Sequence, residues 1–250
     1  KIKKLAKKHK LIIFEDNCES LGSKYKNKNL GTFGDFGTFS FFYSHQITSG
    51  EGGMVTCNNP KDYEILFSLR SHGWLGGLMS YSRSMKTYNS YIKKNSKLDP
   101  RYIFTNSGFN LRPMDLNASI GLNQFKKLDV FKSKRKKNRG LILKSLKSSI
   151  NWNNQFSFIE ERDNLDPSWI VLQIIINTKF KKHKKKFLNF LDKNGVETRP
   201  IISGSFNNQP AYKLYKFDKY NDKFFPNSQY IEDHGFVIGL HKHQMKKSII

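Results

Sequence analysis

Four apolar residues, Leu11-Ile12-Ile13-Phe14, run straight into Glu15-Asp16-Asn17, and this junction restricts the fold more than any other stretch. So short an apolar run with polar borders reads as a buried strand. In the preceding KIKKLAKKHK, Ile2, Leu5 and Ala6 share one helical face. A helix, a buried strand and carboxylates at the strand's end form one step of an open α/β sheet. Such sheets hold their ligands beyond the carboxyl ends of the strands.

The segments that follow extend this pattern. GTFGDFGTFSFF, from Gly31, reads as a glycine-punctuated loop feeding a strand, and GGMVTC (Gly52 to Cys57) as another strand. Asn58-Asn59-Pro60 forms a turn and helix start. Lys61 to Ser71 is then amphipathic, with Tyr63, Leu66, Phe67 and Leu69 as candidates for the buried side. Residues 73 to 107 show little periodicity and read as a long surface insertion. Helical spacing resumes at Met114 and continues through Ile120, Leu122, Phe125, Leu128 and Phe131 towards Leu146. Beyond Asp166-Pro167, WIVLQIII reads as a strand, Phe180 to Asn194 as a helix stopped by Gly195, and VETRPII and FVIGL as strands. Two domains are expected: 1–125, part of a large domain, and 126–250, a long connecting helix with a smaller α/β domain. A start in mid-helix without Met implies a fragment that lacks the N-terminal part of the large domain and is incomplete at its C-terminus.

The net charge of +24 over 250 residues raises the question of a nucleic-acid partner. The excess is mostly Lys, and the runs KSKRKK (from Lys132) and KFKKHKKKF (from Lys179) lie at helical spacing, so a solvated helix face accounts for them. No nucleic-acid signature accompanies the charge. The longest apolar run, Trp169 to Ile176, is interrupted by Gln173 and falls short of the roughly 18 residues of a membrane span. Membrane insertion is therefore not expected. Two cysteines, Cys18 and Cys57, give neither a disulfide framework nor a CxxC pair, which makes a cytoplasmic protein the expectation. Trp74, Trp152 and Trp169 read as packing residues.

Taken singly, the polar candidates are ordinary. Asp16 could be a surface residue, His45 a packed histidine, and GEGG (Gly50 to Gly53) a turn. Their order carries more weight: ED-x-x-E, then GTFGDFGTFSF, a histidine five after Ser40, GEGG, SGFNLR, and later ETRP and NNQPAY. This series resembles the sugar aminotransferase family of pyridoxal-phosphate enzymes, the DegT/DnrJ/EryC1/StrS group, over nearly the whole chain. The resemblance implies an α/β fold of type I among PLP-dependent transferases, with a mostly parallel sheet in the large domain. It also implies site roles. Asp16 matches the carboxylate that keeps the pyridinium nitrogen protonated. Glu19 matches the position that contacts the ring hydroxyl, and Ser40 the serine that binds the phosphate. Asn110 matches an asparagine that reaches the phosphate from a neighbouring subunit, which implies a homodimer with a shared active site.

In that family the position five after the serine holds the lysine that binds the cofactor covalently; here it is His45. An imidazole cannot make that link, so pyridoxal or pyridoxamine phosphate is expected to bind noncovalently. An imidazole can still move protons. The same exchange marks the nucleotide-sugar 3-dehydratase branch, which resembles this chain in S-F-x-x-x-H-x-I-T-x-G-E-G-G. The resemblance implies C3 deoxygenation of a nucleotide-linked 4-keto-6-deoxy sugar, as in surface polysaccharide synthesis, with His45 as base. In the branch's best-known member the substrate is GDP-4-keto-6-deoxymannose, and glutamate is the amino donor. A related branch carries an iron–sulfur cluster, but residues 73 to 107 contain no cysteine, so neither a cluster nor another metal is expected. Gln46 departs from the pattern, because these dehydratases often have a second histidine there. Arg199 is a candidate for a donor carboxylate or sugar diphosphate, and an ordinary ion pair explains it equally well. Two other readings stay open: an aminotransferase-like protein passing an amino group from glutamate to a keto sugar, and a noncatalytic cofactor-binding or basic nucleic-acid-binding module.

Overall fold

The structure is a computed structural model that describes residues 1–77, 85–214, 224–243 and 245. The chain divides into two compact units, Lys1–Lys127 and Leu128–Ile250. The first contains α1 (Ile2–His9), β1 (Phe14–Asp16), a small hairpin of β2 (Lys24–Tyr25) and β3 (Lys28–Asn29), β4 (Phe36–Ser40), β5 (Gly53–Cys57), α2 (Pro60–Leu69), α3 (Met85–Lys94) and α4 (Asp115–Phe125). Strand β1 runs parallel to β4, with Phe14 opposite Phe36 and Asp16 opposite Thr38. The Phe14 and Phe36 rings stack at 4.9 Å. β5 is antiparallel to β4 and places Gly53 beside Ser40.

The loop between β3 and β4 is fastened to β1 by two carboxylates. Asp35 accepts from the Ile13 amide at 2.8 Å. Glu15 accepts from the amides of Gly31 (2.9 Å), Phe33 and Gly34. A Cβ at Gly31 would come within 2.3 Å of the Phe39 ring, and the residue has a φ of +82°, so this position requires glycine.

Two expectations for this unit need correction. Leu11–Phe14 is not a buried strand: Leu11, Ile12 and Phe14 are 61%, 65% and 67% exposed. Regular strand geometry covers only Phe14–Asp16, whose one strand partner among the described residues is β4, and Leu11 and Ile12 precede it. Nor are residues 73–107 a plain surface insertion, although 78–84 lie outside the described residues. The segment contains α3, and Leu75, Tyr88 and Ile103 bury one another in a small core of their own. Tyr88 and Ile92 share a helix face, but their partners are distant in sequence, so local periodicity was a weak signal.

The second unit contains α5 (Leu128–Lys147), β6 (Phe156–Phe158), β7 (Leu165–Asp166), β8 (Val171–Ile176), α6 (Lys184–Lys193), β9 (Thr198–Arg199), α7 (Pro210–Leu214), α8 (Pro226–His234) and β10 (Gly235–Gly239). Its sheet has the order β6-β8-β10-β9, and all of its pairs are antiparallel. Alternate residues of β8 (Leu172, Ile174 and Ile176) point into a core with Ile142, Phe236 and Leu240. Trp152 stacks near Phe158, and Trp169 lies under the Arg139 guanidinium, in keeping with packing roles. The helical run from Met114 is two helices, α4 and α5, separated by a turn at Lys126 and Lys127.

The basic run from Lys132 is not wholly a solvated face. Arg135 and the nearby Arg139 are each 8% exposed. Arg135 Nε donates to the Leu240 carbonyl and Arg139 to that of Ile159, while Lys132 pairs with Asp166 at 2.5 Å. Burial lowers the pKa of both arginines, yet guanidinium remains charged in proteins.

Leu172 has no exposed surface. Replacing it with Ala should cost about 2–5 kcal/mol in urea unfolding. A loss below about 1 kcal/mol would mean that this sheet face is not the core.

Candidate active site

The carboxyl ends of β1 and β4 lie side by side, because Asp16 pairs with Thr38 and Ser40 follows two residues later. Successive side chains of a strand point to opposite faces. Neighbouring carboxylates therefore take different tasks: Glu15 is occupied with the Gly31–Gly34 amides, whereas Asp16 stands exposed at the strand end. Hydrogen bonds from Cys18, side chain first and then backbone, hold the Asp16 carboxyl below its ordinary pKa. The backbone bond runs from Cys18 N to Asp16 Oδ1 at 3.1 Å. The same carboxylate pushes the Cys18 thiol up, so the thiol remains a donor. Its Sγ lies 4.0 Å from Thr38 Oγ1.

Ser40 is half-buried at the end of β4, where its Oγ accepts from the Phe42 amide at 3.2 Å. The chain then folds back on itself. His45 N donates to Phe42 O at 3.1 Å, Ser49 N to Phe41 O at 3.0 Å, and Phe41 N to Gly52 O at 2.9 Å. Thr48 Oγ1 caps the same Phe41 carbonyl. Gly50, at φ +83°, makes the reversal. From α4, Asn117 donates to the carbonyls of Ser49 (2.7 Å) and Glu51 (3.3 Å).

His45 is held on this loop, with its ring edge-on to Phe42 at 5.8 Å. Its Nδ1 is buried and has no hydrogen-bond partner among the described residues. A buried ring nitrogen without a partner costs free energy, unless a ligand or water completes it. Next to it, Gln46 is 1% exposed and its Nε2 donates to the Glu19 carbonyl at 2.5 Å. Glu19's own side chain is exposed.

The structure thus brings Asp16, Glu19, Ser40 and His45 to one edge of the β1–β4 pair. It does not tie Asn110 to them. Asn110 forms a bridge with Ser71, and its exposed side chain bonds to no described residue. Arg199 belongs to the second unit, where its Nε donates to Glu197 at 2.8 Å. Two supporting residues were not recognised from sequence. Glu15 is signalled only by the need of a glycine-rich loop for an acceptor, and Asn117 by nothing local. A cavity of about 350 Å³ is lined by Lys3, Lys7, Ile13, Phe33, Asp35 and Asn58, and so does not belong to the His45 edge. No three His, Cys, Asp or Glu side chains converge as a metal site among the described residues.

The donor set fits pyridoxal phosphate: a carboxylate held ionised, a hydroxyl at a strand end and an imidazole with an uncompleted nitrogen. Comparison with known proteins agrees with this fit. The chain matches the DegT/DnrJ/EryC1/StrS aminotransferase family over residues 1–249. It is 32% identical over 233 residues to GDP-4-keto-6-deoxy-D-mannose 3-dehydratase of Escherichia coli O55:H7, covering 93% of this chain and 57% of that protein. The E. coli GDP-4-keto-6-deoxy-D-mannose-3-dehydratase with bound hydrated PLP superposes with a TM-score of 0.76 at 29% identity, over 99% of this chain and 61% of that one. A structure of a GDP-4-keto-6-deoxymannose-3-dehydratase with a trapped PLP-glutamate geminal diamine gives a TM-score of 0.77 at 30% identity, over 98% and 60%. This chain therefore spans about three fifths of the length of these relatives, and its fold is that of the PLP-dependent aminotransferases.

The lowered Asp16 pKa has a definite sign. A carboxyl whose pKa is depressed by folding contributes stability above its unfolded value, and the contribution is lost as pH falls through the folded pKa. A carbon-13 NMR titration should place the Asp16 midpoint below the ordinary aspartate value, and Cys18→Ala should raise it. An unmoved midpoint in that variant would remove the thiol from the account.

Proposed function

We propose, for a chain that belongs to the DegT/DnrJ/EryC1/StrS aminotransferase family, that its site serves a PLP- or PMP-dependent 3-dehydratase of a nucleotide-linked 4-keto-6-deoxy sugar. The observation that carries this reading is His45. It occupies the position five after Ser40, on a fastened loop, with a buried and unpartnered ring nitrogen. A group that can exchange a proton but cannot bind an aldehyde covalently suits deoxygenation with a noncovalent cofactor. The similarity to GDP-4-keto-6-deoxy-D-mannose 3-dehydratase supports the same reading and favours a GDP-linked sugar. On this reading residues 1–125 are part of the cofactor domain, and 126–250 form the connecting helix and small domain.

When bound, the cofactor supplies an electron sink. The chain's own residues do the rest. Asp16, whose carboxyl Cys18 holds below its ordinary pKa, would hold a proton on the ring nitrogen, and Glu19 would face the ring hydroxyl. Ser40 uses its lone pair on the Phe42 amide and keeps its O–H to donate to the phosphate. His45 would take a proton at an imidazole nitrogen and give it to the departing C3 hydroxyl, which leaves as water. Glutamate is the amino donor on this reading. Asn110, exposed on its bridge, is assigned to the site of a second copy in a homodimer. Arg199 is assigned to an anionic group of donor or sugar, for which it would exchange its bond to Glu197. A cytoplasmic setting suits the two free thiols, Cys18 and Cys57.

The test supplies the full-length protein with PLP, glutamate and a panel of nucleotide-linked 4-keto-6-deoxy sugars. Ammonia and a 3-deoxy product are expected; a stable 4-amino sugar would instead establish amino transfer. His45→Asn should lower turnover about 10²–10⁴-fold, the usual share of a general acid–base group, while PLP uptake persists. An unchanged rate would remove His45 as the base.

A further inference from the structure

Gln46 has no role in the chemistry described above, yet it is more fully buried than the histidine beside it, at 1% exposure. Buried side-chain amides are retained at a cost unless they are hydrogen-bonded. Gln46 Nε2 spans from the loop after β4 to the Glu19 carbonyl, in the loop after β1. That second loop is itself tied to Asp16. Cys18 N donates to the Asp16 carboxylate, Ser20 N to Asn17 O, and Ser20 Oγ to Asn17 Oδ1. The proton-moving residue and the carboxylate that orients the cofactor are therefore joined by one continuous chain: His45, Gln46, Glu19, the 17–20 turn, Asp16.

We propose that Gln46 is the positioning residue that fixes His45 relative to Asp16, by joining the loops that extend β4 and β1. The inference rests on the 3-dehydratase reading for its consequence in catalysis, but its geometry is independent of the reaction. The next side chain, Ile47, is 4% exposed and packs inward, while Tyr43 and Ser44 on the other side of His45 are exposed. The turn that carries His45 is thus anchored on its C-terminal side, and Gln46 is the part of that anchor that reaches across to the β1 loop.

An amide has a further property that matters here. It donates to a carbonyl at every working pH, whereas an imidazole in the same place would donate too but would add a second titratable ring beside His45. Two such rings titrate as a coupled pair. With Gln46 in place, the loop junction itself is silent to pH. Gln46→His should therefore preserve the link and add an ionisation, while Gln46→Met keeps the length and removes the donor.

Two measurements on the full-length protein decide the matter. The first is the rate of diethyl pyrocarbonate labelling at His45, read by mass spectrometry without any sugar. Gln46→Met should raise it about tenfold, the scale of one lost buried hydrogen bond, and Gln46→His should leave it near wild type. The second is the pH profile of turnover. Gln46→Met should lower kcat about 10-fold or more with KM for the sugar little changed, and Gln46→His should recover kcat with an extra ionisation that burial pushes below the ordinary histidine value of about 6.5. Should Gln46→Met fail to fold, Gln46→Asn takes its place. It keeps an amide but is one methylene too short to reach the Glu19 carbonyl, so it should raise His45 labelling in the same way, and labelling equal to wild type would overturn the inference. Equal labelling in all three proteins would overturn the inference whatever the reaction. Altered labelling in a protein that turns over no keto sugar would retain Gln46 as the anchor and remove the 3-dehydratase reading instead.

Discussion

The parallel pairing of β1 with β4 is the constraint on which the rest of the site depends. Its register sets Asp16 against Thr38 and so brings the end of one strand, with its carboxylate, beside the end of the other, with Ser40 and the loop to His45. A slip of one residue would turn Asp16 to the opposite face and present Glu15 in its place. Several contacts oppose such a slip. The Phe14 and Phe36 rings stack, Asp35 takes the Ile13 amide, and Glu15 is committed to three amides of the loop that precedes β4. Glu15 thus fixes the register that leaves Asp16 available.

Beyond the strand ends the structure shifts from regular pairing to loops fastened by side chains. The loop holding His45 is closed by backbone bonds across Phe41, gripped from α4 by Asn117, and joined to the β1 loop by Gln46. The chemistry at this edge follows from what each group has left after these commitments. Donors on Cys18 hold the exposed Asp16 carboxyl below its ordinary pKa; Ser40 keeps its hydroxyl proton because its lone pair serves Phe42. His45 keeps a ring nitrogen with no described partner. That set matches what an aldehyde-bearing, phosphate-bearing aromatic cofactor needs from its binding site.

Much of this is legible in the residues, and the limits have physical causes. The strand ending in Glu15-Asp16, the loop rich in glycine and the turn at Gly50 declare themselves through local composition, which is also how the structure realises them. Exposure does not declare itself. Leu11 and Ile12 have the composition of a buried run but are exposed and precede the three-residue strand Phe14–Asp16. A two-residue break at Lys126 and Lys127 is invisible to hydrophobic spacing, because Phe125, Leu128 and Phe131 keep the period across it. The burial of Arg135 and Arg139 depends on carbonyls at Leu240 and Ile159, far along the chain, that no local pattern announces. The roles of Glu15 and Gln46 are long-range in the same sense. Each side chain bonds to a backbone group 16 or more residues away, and backbone groups leave no mark in composition.

The central claim is that an imidazole in place of an amine leaves the cofactor held without a covalent link while a proton can still be moved. Intact-mass and peptide mass spectrometry of the full-length protein, loaded with PLP and treated with borohydride, tests it most directly. The account predicts an unmodified chain in the wild type and a stoichiometric adduct at position 45 once His45→Lys is introduced. A stoichiometric adduct on any lysine of the wild-type protein would contradict it.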